Sequence, residues 1–162
     1  MYKVAIITAS DKGYAGERED KIGSVIEEIV TAHELEVTGK VILPDDRQML
    51  SDQMLNYCHQ GIDLILTTGG TGFSKRDVTP EATADIVERR ADNLTFAMIA
   101  NSLQYTPKAM LSRGIAGIRE NTLIVNLPGS PKAVRENLEY AIDAIIHGVK
   151  ILKGDDAECA RK

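Results

Sequence analysis

The segment Thr67 to Thr83, TTGGTGFSKRDVTPEAT, concentrates the residue types that hold an anion. Gly69, Gly70 and Gly72 come directly after an apolar run, where glycine admits positive φ and lets a ligand approach the backbone. Such a loop can aim successive N–H groups at phosphate oxygens. Thr68 and Thr71 add hydroxyls, and Lys75 and Arg76 add two positive charges. Two standard phosphate loops are excluded. Walker A fails because Ser74 stands where its second glycine belongs, and the dinucleotide fingerprint fails because Lys75 occupies its third glycine position. A plain chain-reversing turn remains the alternative. Thr79-Pro80 then reads as the N-cap and first residue of a helix.

A pair of carboxylates accompanies this loop: Asp45 in LPDDR and Asp77 in KRDVTP. Hard oxygen ligands beside a phosphate loop suit Mg²⁺, which is bound by one or two carboxylates together with substrate phosphates. The competing reading is structural. Asp45 with Gln48 matches a capping box, and Asp77 has Arg76 and Lys75 as ready partners. A third loop, Asn126-Leu127-Pro128-Gly129-Ser130-Pro131, offers Ser130 as N-cap and Pro131 at N1, so its free N–H groups suit a second anion or simply start a helix. Ser10-Asp11 leaves the first apolar run and faces the same way, or forms a local turn. His33, His59 and His147 have no ligand spacing, Cys58 lies on an apolar helical face, and neither a Ser-His-Asp order nor a G-x-S-x-G elbow is present.

These loops need a scaffold, and the chain supplies alternating strands and helices. Lys3 to Ala9, Glu36 to Leu43 and Asp63 to Thr68 read as strands, the first and third apolar throughout, as in a sheet covered on both faces. Ser10 to Glu19 reads as a polar loop. Ile22, Val25, Ile26, Ile29 and Val30 form one helical face, and Leu50, Met54, Tyr57 and Cys58 another. Helices are expected from Pro80 to about Arg90, from about Leu94 to Tyr105 and from Pro131 to about Leu152. Ile115 to Ile118 and Thr122 to Asn126 flank a turn at Arg119-Glu120-Asn121. Strand–helix–strand units with short connections imply parallel strands and right-handed crossovers. The expected fold is α/β: a single three-layer α/β/α domain over residues 1–154, with a mostly parallel sheet and a C-terminal antiparallel hairpin, then a polar tail over 155–162. In an open parallel sheet the ligand crevice lies at the carboxyl ends of the strands, which is where Ser10, Asp45, Gly69 and Gly129 fall.

Composition narrows the class. The chain has 162 residues, 43% of them hydrophobic and 27% charged, which describes a folded domain and not a disordered one. A net charge of −5 leaves no basic surplus to release phosphate counterions, so neither nucleic acid nor an anionic membrane is an expected partner. Cys58 and Cys159 form no motif, the N-terminal apolar run is too short for a secretory leader, and no stretch is long enough to span a bilayer. A reduced, cytoplasmic setting is expected.

Three motifs in order, TTGGTG-x-x-x-RDVTPEAT, AMLSRGIAGI (109–118) and LIVNLPGSPKAV (123–134), resemble the molybdenum-cofactor biosynthesis family, which comprises bacterial molybdopterin adenylyltransferases and the G domains of plant and animal molybdenum-cofactor proteins. The resemblance covers about residues 2 to 153. It implies a compact α/β homotrimer that transfers AMP from Mg-ATP to the terminal phosphate of molybdopterin, releases pyrophosphate and passes its product to a downstream molybdenum insertase. By position it implies metal-binding and catalytic roles for Asp45 and Asp77 and a substrate contact for Thr71. Polar substrate-binding positions fall on Ser102, Ser112 and Asn126, and a phosphate-side loop on Gly129-Ser130-Pro131. The apolar stretch Asn93 to Ile99 is closer to the plant-type G domain than to the charged bacterial version. A molybdopterin-binding or assembly protein without catalysis is the alternative.

Overall fold

A computed structural model describes residues 1–155 of the chain. Three strands are apolar along nearly their whole length and form the middle of the sheet: β1 (Lys3–Ala9), β3 (Leu64–Thr68) and β6 (Thr122–Leu127). β2 (Glu36–Leu43), which alternates exposed and half-buried residues, lies at one edge. β5 (Ala116–Arg119) and the two-residue β4 (Arg89–Arg90) complete the order β2-β1-β3-β6-β5-β4. The pairs β1–β2, β1–β3 and β3–β6 are parallel, while β5 runs antiparallel to both β6 and β4. The expected mostly parallel sheet with an antiparallel hairpin is therefore present, and Glu120 makes the hairpin turn at a φ of 51°.

Alternation along the strands feeds two cores. Val4, Ile6, Leu64, Leu66, Leu123 and Val125 face α2 (Lys21–Ala32), α5 (Asp92–Leu103) and α6 (Pro131–Leu152). Ala5, Ile7, Ile65 and Ile124 face α3 (Arg47–His59) and α4 (Thr79–Ala84). This is the three-layer α/β/α arrangement. Among the described residues no helix is long and apolar enough to cross a membrane.

Four local expectations change. The helix expected from Pro80 to about Arg90 stops at Ala84, because Glu88 N–H donates to Ile118 O (2.8 Å) and Ala91 N–H to Ala116 O (2.9 Å). Pairing with β5 outcompetes the helix. Thr79 is not the cap of α4: Val78 holds that position with no side-chain hydrogen bond, and Thr79 lies one residue inside. The loop after Ser10 contains a single turn, α1 (Asp11–Tyr14), capped by Ser10 Oγ, which accepts from Gly13 N–H at 3.0 Å. A 3₁₀ turn (Pro107–Leu111) follows α5. The polar tail lies outside the described residues from position 156 onward; Asp155 accepts a hydrogen bond from the Tyr2 hydroxyl at 2.6 Å.

Parallel register sets the functional edge. Thr8 pairs with Thr68, Thr68 with Leu127, and Ala9 with Leu43, so four strands end level. The chain leaves β1 for β2 on one side and returns to β3 on the other, which opens a crevice above the switch point. Leu138 on α6 is completely buried in the core beneath this edge. Leu138→Ala is expected to cost about 2–5 kcal/mol in urea unfolding while preserving the circular dichroism of the folded state; a cost below about 1 kcal/mol would show that this core can collapse around the gap.

Candidate active site at the carboxyl edge of the sheet

The loops after β1, β3 and β6 interlock at three glycines. Gly69 and Gly70 take φ of +85° and +69°. A Cβ on Gly69 would stand 2.3 Å from Ala9 O, and one on Gly70 would stand 2.3 Å from Thr79 Oγ1 and 3.0 Å from Asp45 Oδ1. A Cβ on Gly129 would stand 3.5 Å from Gly69 Cα, in van der Waals contact with it. Beneath them, buried Thr68 donates its hydroxyl to Pro128 O, tying the β3 and β6 loops together.

Three carboxylates ring the crevice that these glycines open. Asp45 N–H donates to Asp11 Oδ1 (2.9 Å), and Asp11 N–H returns the bond to Asp45 Oδ2 (3.3 Å). Arg76 grips both Asp11 oxygens at 3.0 Å, so it is the partner of Asp11 and not of Asp77. Asp77 Oδ2 accepts from Ser74 N–H at 3.0 Å, and Asp77 N–H donates to Ser74 O at 3.0 Å. The capping alternative for Asp45 falls away: Asp46 is the cap of α3, accepting from Met49 N–H at 2.9 Å. Asp45 Oδ1 is buried and has no protein partner, and neither has Thr79 Oγ1 on the same side of Gly70. Burial, then the charge of Asp11 and that of Asp77, push the Asp45 carboxyl above the ordinary carboxylate range. Arg76 does the opposite to Asp11, holding it below that range. An unsatisfied buried carboxylate oxygen, in reach of a second carboxylate and of open backbone, has the chemistry of a cation ligand. Among the described residues no three His, Cys, Asp or Glu side chains form a metal cage, so a cation here would complete its shell with water and substrate oxygens.

Thr68, expected as a hydroxyl donor to an anion, is fully buried with its hydroxyl committed to Pro128 O; the other site residues expected from sequence distribute over three cavities, none of which Thr68 lines. Ser10, Asp11, Asp45, Gly69, Gly70, Thr71, Gly72, Asp77 and Gly129 line a cleft of about 560 Å³, with Lys12 and Arg18 at its rim. Ser10, Gly69, Gly129, Ser130 and Pro131 line a neighbour of about 530 Å³, which also holds Arg18 and Lys21. Ser130 caps α6 there, its Oγ accepting from Ala133 N–H at 3.3 Å. Ser102, Ser112 and Asn126 line a smaller cavity of about 230 Å³, walled by Met98, Ile99, Ala109 and Pro128. All three already have intramolecular work, Ser112 Oγ accepting from Gly114 N–H at 3.3 Å. Ser102 Oγ donates to Asn137 Oδ1. Asn126 donates to Thr67 Oγ1 (2.9 Å) and Thr83 Oγ1 (3.0 Å) and accepts from Ile115 N–H (3.1 Å), so both its amide hydrogens brace the scaffold.

Sequence reasoning missed Arg113 and Thr79. Arg113 donates from its backbone N–H to Thr71 O (2.8 Å), from Nε to Gly72 O (2.8 Å), from Nη2 to Asp77 O (3.0 Å) and from Nη1 to both Glu81 oxygens (3.0 and 2.7 Å). No sequence spacing announces a contact between positions so far apart. Thr79 was legible only as a cap.

Residues 5–147 match the family model described as "Probable molybdopterin binding domain". The chain belongs to this family. It is 37% identical to the molybdopterin adenylyltransferase of Helicobacter pylori over 155 residues, covering 94% of this chain and 88% of that protein. It is 40% identical to gephyrin of Dictyostelium discoideum over 159 residues, covering 92% of this chain but 22% of gephyrin. The crystal structure of the molybdopterin biosynthesis enzyme MoaB of Thermus thermophilus superposes with a TM-score of 0.90 at 42% identity, covering 95% of this chain and 98% of that one. The glycine crevice and its carboxylates lie within the residues that match this family model.

The raised Asp45 carboxyl links this site to pH. A group whose folded-state pKa is raised contributes stability that is complete below its unfolded value and lost as pH rises through its folded value. Asp45→Asn removes that loss. The variant is expected to be more stable than the parent at neutral pH in urea unfolding, with the gap closing as pH falls toward about 4 and gone below it, where the parent carboxyl is neutral in both states. Equal stability at neutral pH would mean that the parent charge is not penalised there.

Proposed function

We propose that the chain is a molybdopterin adenylyltransferase, transferring AMP from Mg-ATP to the terminal phosphate of molybdopterin with release of pyrophosphate. The observation that carries this reading is the unpartnered, buried Asp45 Oδ1 beside Asp77, over a glycine loop whose backbone is open to phosphate. Membership of the molybdopterin-binding family and 37% identity to a protein named for this activity support it.

The chemistry follows from the cavities. Backbone N–H groups of the glycine loop and the N-terminus of α6 face the cleft and its neighbour, where phosphates are held without a specific side chain. Lys12, Arg18 and Lys21 offset phosphate charge at the rim. The smaller, mostly apolar cavity with Ser102 and Ser112 takes the pterin ring. Asp45 and Asp77 would hold Mg²⁺, which when bound neutralises charge on the nucleotide phosphates. The attacking phosphate oxygen is anionic already, so no strong base is needed. The chain therefore works by aligning two anionic substrates and by lowering their mutual repulsion. A homotrimer in the cytoplasm, handing its product to a molybdenum insertase, completes the reading.

The test is a turnover assay with purified protein, molybdopterin, ATP and Mg²⁺, quantifying adenylylated pterin and pyrophosphate together. Both are expected in equal amounts, and Asp77→Asn is expected to lower kcat by at least about 100-fold with the fold intact, the scale of losing one electrostatic stabiliser. Tight pterin binding without AMP transfer would reassign the chain as a binding module.

A further inference from the structure

A loop with three glycines does not hold itself still, and its backbone from Thr71 to Asp77 is fastened by one residue from another part of the fold. The Ser74–Asp77 turn is local and moves as a unit. Outside that turn, Gly70 O accepts from Thr79 N–H at 3.1 Å, the exposed Arg76 side chain pairs with Asp11 at 3.0 Å, and the anchors of the loop backbone from Thr71 to Asp77 converge on Arg113. Its backbone N–H takes Thr71 O, its Nε takes Gly72 O, and its Nη2 takes Asp77 O, the carbonyl of the residue whose carboxylate lines the cleft. Its Nη1 takes the Glu81 carboxylate in the first turn of α4. The ion pair is about one-third exposed on either side. Ser112 and Gly114, the neighbours of Arg113 in sequence, line the smaller cavity. One residue therefore fastens the acidic cleft to the wall of the cavity assigned to the pterin.

We infer that Arg113 is a positioning residue for the transfer reaction, setting the Asp77 carboxylate and the Gly72 backbone against Asp45 and against the smaller cavity. The role rests on the proposed adenylyl transfer. It does not require Arg113 to touch substrate. The planar guanidinium is essential to it, because Nε, Nη1 and Nη2 address three acceptors in fixed directions, whereas a lysine ammonium retains the charge without the fork.

The test compares the full-length parent with Arg113→Lys and Glu81→Gln. Arg113→Lys is expected to lower kcat by about 10- to 100-fold, the scale of a misplacement near 1 Å, with KM for molybdopterin changed less than about threefold. Binding of Mn²⁺ alone, followed by water-proton relaxation without substrates, is expected to weaken at least about threefold, and the thermal transition is expected to remain cooperative. Glu81→Gln keeps an acceptor of the same shape and is expected to lose less than Arg113→Lys on both readouts. Parent-like kcat and Mn²⁺ binding in Arg113→Lys would overturn the inference, as would a loss of thermal stability alone. If Arg113→Lys does not fold, Glu81→Gln decides: a kcat or Mn²⁺ affinity at least about twofold below the parent supports the role, and parent-like values overturn it. A parent that transfers no AMP would refute the proposed function, while the Mn²⁺ comparison would still test Arg113.

Discussion

The site depends on one close approach: the backbone of Gly69 lies so near the carbonyl of Ala9 that a Cβ would stand 2.3 Å from its oxygen. That contact brings the ends of β1 and β3 together at the switch point of the sheet. The loop after β6 comes close enough that a Cβ on its Gly129 would touch Gly69, and the Thr68 hydroxyl reaches Pro128 O below. Without side chains at Gly69 and Gly70, three loops converge and leave backbone, and not methyl groups, lining the crevice.

Convergence of loops also forces convergence of charge. Asp11 and Asp45 exchange backbone hydrogen bonds, which holds two carboxylates side by side, and Asp77 adds a third negative charge. Arg76 satisfies Asp11, leaving Asp45 as the member that burial and its neighbours drive toward protonation. A fold that retains such a group gives up stability at neutral pH for a site able to attract a cation. The two orphaned oxygens beside Gly70, on Asp45 and Thr79, are the local expression of that compromise.

The remaining polar network is scaffold. Asn126 joins β3, α4 and the segment before β5 through three hydrogen bonds, and Arg113 joins the glycine loop to α4. Arg113 braces the loop after β3, and Asn126 ties the end of β3 to α4 and to Ile115. The reading of Asn126 as a substrate contact thus acquires a structural component: its amide hydrogens are committed to Thr67 and Thr83.

By itself the sequence determined the local elements and the rim. Unbroken apolar runs announced β1 and β3 because strands covered on both faces cannot alternate, and 3.6-residue periodicity announced α2 and α6. Glycines after one strand and carboxylates after two placed a ligand site at the carboxyl edge, since all such loops in a parallel sheet emerge together. Only tertiary structure excluded capping as the work of Asp45. Asp45 and Asp46 are equivalent as letters, and it is the entry angle of α3 that makes Asp46 the cap and leaves Asp45 Oδ1 unpartnered. Likewise Arg89–Arg90 became a strand because β5 offered hydrogen bonds across space, and Arg113 became the anchor of a distant loop. Those outcomes depend on contacts between residues far apart in the chain, which local periodicity and propensity do not encode.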